Sequence, residues 1–159
     1  ARYVFPEDIN DDIVQTRFDS VPGFRAAYEA ERDLLLRAVL EPDPARRREI
    51  ARSALAAARE RRARYFTGEN AFYAELEDLF LNMEGVASWS AFMLARKRAG
   101  PGATDAEILA RMRGSGRYWS QDEGLALILV IDRLLPGWQA RMFGNEPASV
   151  WNLLEEGTR

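Results

Sequence analysis

The sequence predicts an all-α fold, a single-domain irregular helical bundle of five to seven helices. Three observations carry that prediction. Apolar residues recur at steps of three and four in every long segment. Strong breakers, such as Pro42, Pro44, Gly100-Pro101-Gly102 and Pro136-Gly137, separate those segments. No stretch alternates apolar and polar residues long enough to make a strand.

Residues 1–22 read as an irregular, solvated arm that packs Tyr3, Phe5 and Phe18 on the body, with residues 23–159 as one helical domain. Glu7, Asp8, Asp11 and Asp12 lack the acid order of a calcium loop. From Phe24 to Leu40, the residues Phe24, Ala27, Tyr28, Leu34 or Leu35, and Val39 have helical spacing, with Glu31, Arg32 and Asp33 outward. Asp43-Pro44 then looks like an N-cap followed by a first-turn proline, opening a helix that runs to about Phe66 and stops at Gly68. Eight Arg lie on it, at 46, 47, 48, 52, 59, 61, 62 and 64. They spread around its polar side with no aromatic interleaved for base stacking, so a solvated face is expected and no nucleic-acid partner.

Phe72 to Ala99 is the expected central helix. It is apolar most of the way round from Leu79 to Leu94, which predicts cover on several sides. Glu84 falls in that run and must be hydrogen-bonded, paired, protonated or facing a cavity. It is expected to be the polar centre of the structure, lining a cleft between this helix and the one expected at Tyr118 to Leu135. Gly85 follows it, where a helix-interior glycine marks a close helix approach. Thr104 and Glu107 form a capping box for a short helix carrying Ile108, Leu109 and Met112. Gly114-Ser115-Gly116 is a loop without the flanking pattern of a phosphate loop. Tyr118 to Leu135 is a buried helix, Trp138 to Phe143 a helical turn, and a last helix starts at Glu146-Pro147.

Composition bounds the chemistry. The chain of 159 residues fits one domain, and a net charge of −3 gives no global pull towards nucleic acid or membrane. There is no Cys and no His, which excludes a Ser–His–Asp triad, an HExxH zinc site and Glu-x-x-His di-iron sites within this chain. No cofactor is expected. No apolar run reaches the ~18 residues of a membrane span. Of 22 basic residues, all but Lys97 are Arg, which suggests a GC-rich bacterial genome. The compartment stays open between a soluble bacterial cytoplasmic protein and an exported fragment.

Glu84-Gly85-Val86-Ala87 recurs as Glu123-Gly124-Leu125-Ala126. The two acids could share one polar pocket, in which one carboxyl has a raised pKa. Alternatively Glu123, in the first turn of its helix, is exposed and favoured only by the helix dipole. Trp89, Trp119, Trp138 and Trp151 could line a groove, although aromatics at helical spacing are more often core.

Asn82-Met83-Glu84-Gly85-Val86-Ala87-Ser88-Trp89 resembles the Asn-Glu-Gly-x-Ala-x-Tyr/Trp segment of gluzincin metallopeptidases. Further on, Gln121-Asp122-Glu123-Gly124 with Ile131, Asp132 and Leu134 resembles that family's Tyr-Glu-Lys-Gly segment and the apolar helix after it. The likeness covers roughly residues 76–155. It implies that Glu84 is the zinc-ligand-like residue, and that Tyr118, Trp119, Gln121 and Glu123 lie near a substrate site. The chain departs from the family in having no HExxH: Arg61-Arg62-Ala63-Arg64-Tyr65 stands in its place, and Gln121 at the family's tyrosine. Three explanations remain open: the C-terminal helical part of a longer peptidase, a relative that has lost its metal, or a chance likeness. In each, the isolated chain has no activity and no metal site of its own. The alternative function is a helical binding or protein-interaction module, with partners that are either the missing N-terminal part of a longer protein or another protein. The candidate binding residues are Glu84, Trp89, Tyr118, Trp119, Gln121 and Glu123.

Overall fold

The computed structural model describes residues 9–113 and 116–159. Its eight α-helices are α1 (Ile13–Phe18), α2 (Phe24–Leu40), α3 (Pro44–Tyr65), α4 (Tyr73–Ala99), α5 (Asp105–Arg113), α6 (Trp119–Leu134), α7 (Trp138–Met142) and α8 (Val150–Gly157). A 3-10 turn at Gly68–Asn70 joins α3 to α4, and no strand occurs among the described residues. The all-α prediction holds, with one helix more than expected. The extra helix is α1, inside the segment read as an irregular arm. Phe18 at its end is buried, while Tyr3 and Phe5 lie outside the described residues.

Local chemistry explains most of the boundaries. The Asp43 carboxylate accepts the Arg46 backbone N–H at 2.7 Å, and Pro44 occupies the first turn of α3. Glu107 accepts the Thr104 backbone N–H at 2.8 Å, and the Thr104 hydroxyl accepts the Glu107 N–H at 3.2 Å, completing the capping box. Gly100 ends α4 at φ +76, a conformation that favours glycine. The last helix starts at Val150 and not at Glu146-Pro147. Ser149 caps it by accepting the Asn152 N–H, and the free Val150 N–H is taken by the Asn82 side chain of α4 at 2.9 Å.

The helix at the centre of the bundle is α6. Its buried residues run unbroken from Asp122 to Ile131, and it packs against α4, α2 and α8. The expectation that α4 is covered on several sides is corrected. Its buried residues are Tyr73, Leu76, Glu77, Leu81, Gly85 and Phe92, while Leu79, Met83, Met93 and Leu94 face solvent. The pattern of α4 is apolar on two sides, but this fold covers only one.

The α4–α6 contact is set by two glycines. A Cβ on Gly85 would lie 2.7 Å from the Gly124 carbonyl oxygen, and one on Gly124 would lie 2.8 Å from the Gly85 nitrogen. The backbones therefore touch where the repeated Glu-Gly words meet, which is the close approach expected at Gly85. Around this contact the apolar core gathers residues of α2, α3, α5 and α8 on α6. A second cluster, largely aromatic, joins Phe18, Phe24, Tyr28, Phe66, Tyr73 and Trp119.

Candidate functional site

Two acidic centres flank the glycine contact. The first is inside the bundle. Arg61, 1% exposed, donates to both oxygens of Glu31 at 2.8 and 2.6 Å and to Glu77 at 2.8 Å. Arg62 donates to the other Glu77 oxygen at 2.7 Å and to Asp78 at 2.6 Å. The Arg61 guanidinium also lies over Phe24 and Phe66, at 5.2 and 5.5 Å from the ring centroids. Burial alone would raise the Glu77 carboxyl, but the two guanidinium groups outweigh it and hold Glu77 below the usual carboxylate range.

Glu123 sits beside this network and is fully buried, so its expected exposure in the first turn of α6 is corrected. Burial raises its carboxyl well above the ordinary range, and the neighbouring Glu31 carboxylate raises it further. The site therefore favours the protonated form of Glu123. Glu123 Oε1 and the Ser120 hydroxyl are buried without a partner among the described residues. Both residues line a cavity of about 20 Å³ with Tyr28, Glu77, Trp119 and Asp11. Such a space suits one water molecule and no larger ligand.

The residues of this network carry a correction. Glu31 was expected to point outward, and Arg61 and Arg62 to join a solvated face. Instead, Glu31 and Arg61 are buried and Arg62 is half-buried. Other Arg of α3 hold the chain's end: Arg52 donates to the Thr158 carbonyl at 2.7 Å, and Arg59 pairs with Glu155 at 2.7 Å. Spacing could have found the buried charges. Glu31 continues the stripe Phe24, Tyr28, Leu35, and Arg61 continues Ala51, Ala54, Ala58.

The second centre is Glu84. It is half-buried on α4, and no hydrogen bond or ion pair reaches it among the described residues. Burial, then the Asp11 and Asp12 carboxylates, raise its carboxyl. It is therefore not the polar centre of the bundle, and it does not share a pocket with Glu123. That role belongs to Arg61.

The remaining candidates separate. Tyr118 is 41% exposed with the Arg117 guanidinium 5.3 Å from its ring centroid. It lines a cleft of about 270 Å³ with Gln121, Ser88, Arg113, Arg117 and Asp122. Ser88 is one helical turn beyond Glu84, so this cleft opens on the same flank of α4. Trp119 points the other way. It is buried, stacked on Tyr28 at 4.3 Å, and its carbonyl accepts the Tyr28 hydroxyl at 2.9 Å. Trp89 meets Trp138 edge-on at 5.3 Å, on the side of α7. The four tryptophans do not line one groove. Trp119, Trp138 and Trp151 are core residues, and Trp89 packs half-buried against that core.

No group of three or more acidic side chains is placed to hold a metal ion among the described residues. No helix is long and apolar enough to cross a membrane among the described residues. Comparisons with protein-family models, curated proteins and solved structures found no match.

Proposed function

We propose that this chain is the helical part of a composite, zincin-like site, to which it contributes the Glu84 carboxylate and which another polypeptide segment completes. One observation carries the proposal. In a chain with 21 Arg, Glu84 is a half-buried carboxylate facing only other acids. Glu31, Glu77, Asp78, Asp105 and Asp122 each hold at least one Arg within 4 Å. Burial first, then the Asp11 and Asp12 carboxylates, raise its carboxyl, and a nearby cation would relieve that repulsion. Gly85, wedged on Gly124, fixes the helix that carries it.

The donors of this chain do not make a zinc site alone. With no His and no Cys, Glu84 supplies at most one ligand of the three or four that zinc takes. The isolated chain is therefore expected to bind no stoichiometric zinc and to hydrolyse no peptide. Zinc in the purified protein by mass spectrometry, or peptide turnover above background, would refute that.

The test of the proposal is the uninterrupted reading frame that contains this chain. It should encode an HExxH segment, and its product should bind one zinc that Glu84→Ala loses. A frame without HExxH, or zinc retained in the variant, overturns it. The second reading, a helical interaction module without catalysis, is favoured by the uncovered apolar side of α4.

A further inference from the structure

The solvent side of α4 has Leu79 at 47%, Met83 at 56%, Met93 at 37% and Leu94 at 48% relative exposure. Steps of three and four place them along one flank, with the half-buried Val86 and the exposed Ala87 and Ser90 between them. Glu75 stands at the N-terminal end of this stripe, and Lys97 and Arg98 at the C-terminal end. All three are exposed, with no ion-pair partner among the described residues. Glu84 lies on another flank, towards Asp11 and Asp12.

We propose that this face pairs with the same face of a second copy of the chain, antiparallel, about a two-fold axis near Val86 and Ala87. The stripe is self-complementary when reversed. An axis at that point sets Leu79 against Met93 and Leu94 of the second copy, and Met83 near its Ser90. It sets Glu75 against Lys97 and Arg98 at both ends of the contact. A parallel pairing would put acid beside acid and base beside base. Between the two ends, Ala87 and Ser90 are small enough for the helices to come within ~9 Å of each other at a shallow crossing of about 20°. From Leu79 to Leu94 the apolar contact would run about 22 Å along the helix. A two-fold contact of this kind closes on itself and leaves no free edge. The pairing does not depend on the zinc-like role of Glu84, because that residue is on a different flank.

Sedimentation velocity and light scattering on the 159-residue chain test the proposal, and should give twice its mass of 18.1 kDa. Leu79→Glu with Leu94→Glu should give a monomer whose circular dichroism is unchanged. Glu75→Arg should weaken the dimer at least about tenfold at low salt, and adding Lys97→Glu and Arg98→Glu should restore it. The chain has no Cys, so single cysteines report geometry cleanly. Ala87→Cys should oxidise to a linked dimer, and Leu79→Cys should not. A monomer at roughly 100 μM overturns the proposal, as does Leu79→Cys linking as readily as Ala87→Cys. So does a stripe that proves to be covered by the preceding polypeptide in the full reading-frame product.

Discussion

Glu84-Gly85 and Glu123-Gly124 are the same two-residue word, and their glycines touch, yet the two acids meet opposite environments. Glu123 is sealed beside Arg61, Glu31 and Glu77. Glu84 stays half in solvent with Asp11 and Asp12 as its charged neighbours. The difference comes from the host helices. α6 is buried around nearly its whole circumference, so a polar residue in its first turns is taken inside. α4 buries one stripe, and Glu84 falls off it, although the next residue falls on it. A short motif therefore does not set a side chain's fate. Its phase on the buried face does.

The largest expected effect is at the sealed centre. Arg61→Met removes the one group that donates to both Glu31 and Glu77 among the described residues. Glu31 would then be buried with no cationic partner among the described residues and Glu77 would keep only Arg62, so stability should fall by about 3–5 kcal/mol in urea unfolding. Replacing Glu31, Arg61 and Glu77 together by apolar residues of similar volume should lose much less. A small loss in the single variant would mean that the network is wetter than its geometry implies.

The glycine contact comes next. Gly124→Ala puts a methyl 2.8 Å from the Gly85 nitrogen and 3.0 Å from the Leu81 carbonyl oxygen. Backbone cannot swing aside as a side chain does, so α4 and α6 must separate. A loss of about 1–3 kcal/mol is expected from thermal or urea unfolding. An unaffected midpoint would show that the two backbones are further apart than they stand here.

These two sites also mark where the sequence was legible. The helices were readable because apolar spacing and breakers are local signals, and the caps at Asp43 and Thr104 were readable for the same reason. Gly85 was readable as a contact because a glycine inside a helix is costly. Glu31 and Arg61 were not, because each was read by its charge and not by its place on the stripe. Their partners lie 30 residues apart in sequence. The exposure of α4 was missed for a different reason. Periodicity states which residues share a face, but not whether the fold supplies a partner for that face.

Glu123 gives a pH signature that Glu84 cannot match. The folded-state pKa of Glu123 is raised above its unfolded value. Between those two values the folded state binds more protons than the unfolded one, so stability falls as pH rises. Glu123 thus contributes a loss of stability that begins above about pH 4.5 and continues until its raised pKa is passed. Glu77 has the opposite sign: its pKa is lowered, so its contribution is lost as pH falls below that range. Glu123→Gln keeps the shape and removes the titrating group. It should flatten the decline above about pH 4.5 and leave the acid limb in place. Urea midpoints measured across that range would check this. An unchanged slope would mean that Glu123 is not the group that titrates there.

The smallest effect is expected at Glu84, and its smallness is informative. Had this residue been the buried partner of an arginine, Glu84→Gln would strand a charge and cost about 3–5 kcal/mol. No arginine reaches it, and its carboxyl is raised by burial and by two acids. The amide removes a repulsion and breaks no pair, so stability at neutral pH should change by no more than ~0.5 kcal/mol, towards higher stability if at all. A folded, equally stable variant is also the one needed to test the role of Glu84. If the complete reading-frame product binds zinc and the Gln variant binds it weakly at unchanged stability, the loss belongs to the ligand and not to the fold. If Glu84→Gln instead destabilises the chain by several kcal/mol, Glu84 has a cationic partner, and the contrast between the two Glu-Gly words disappears.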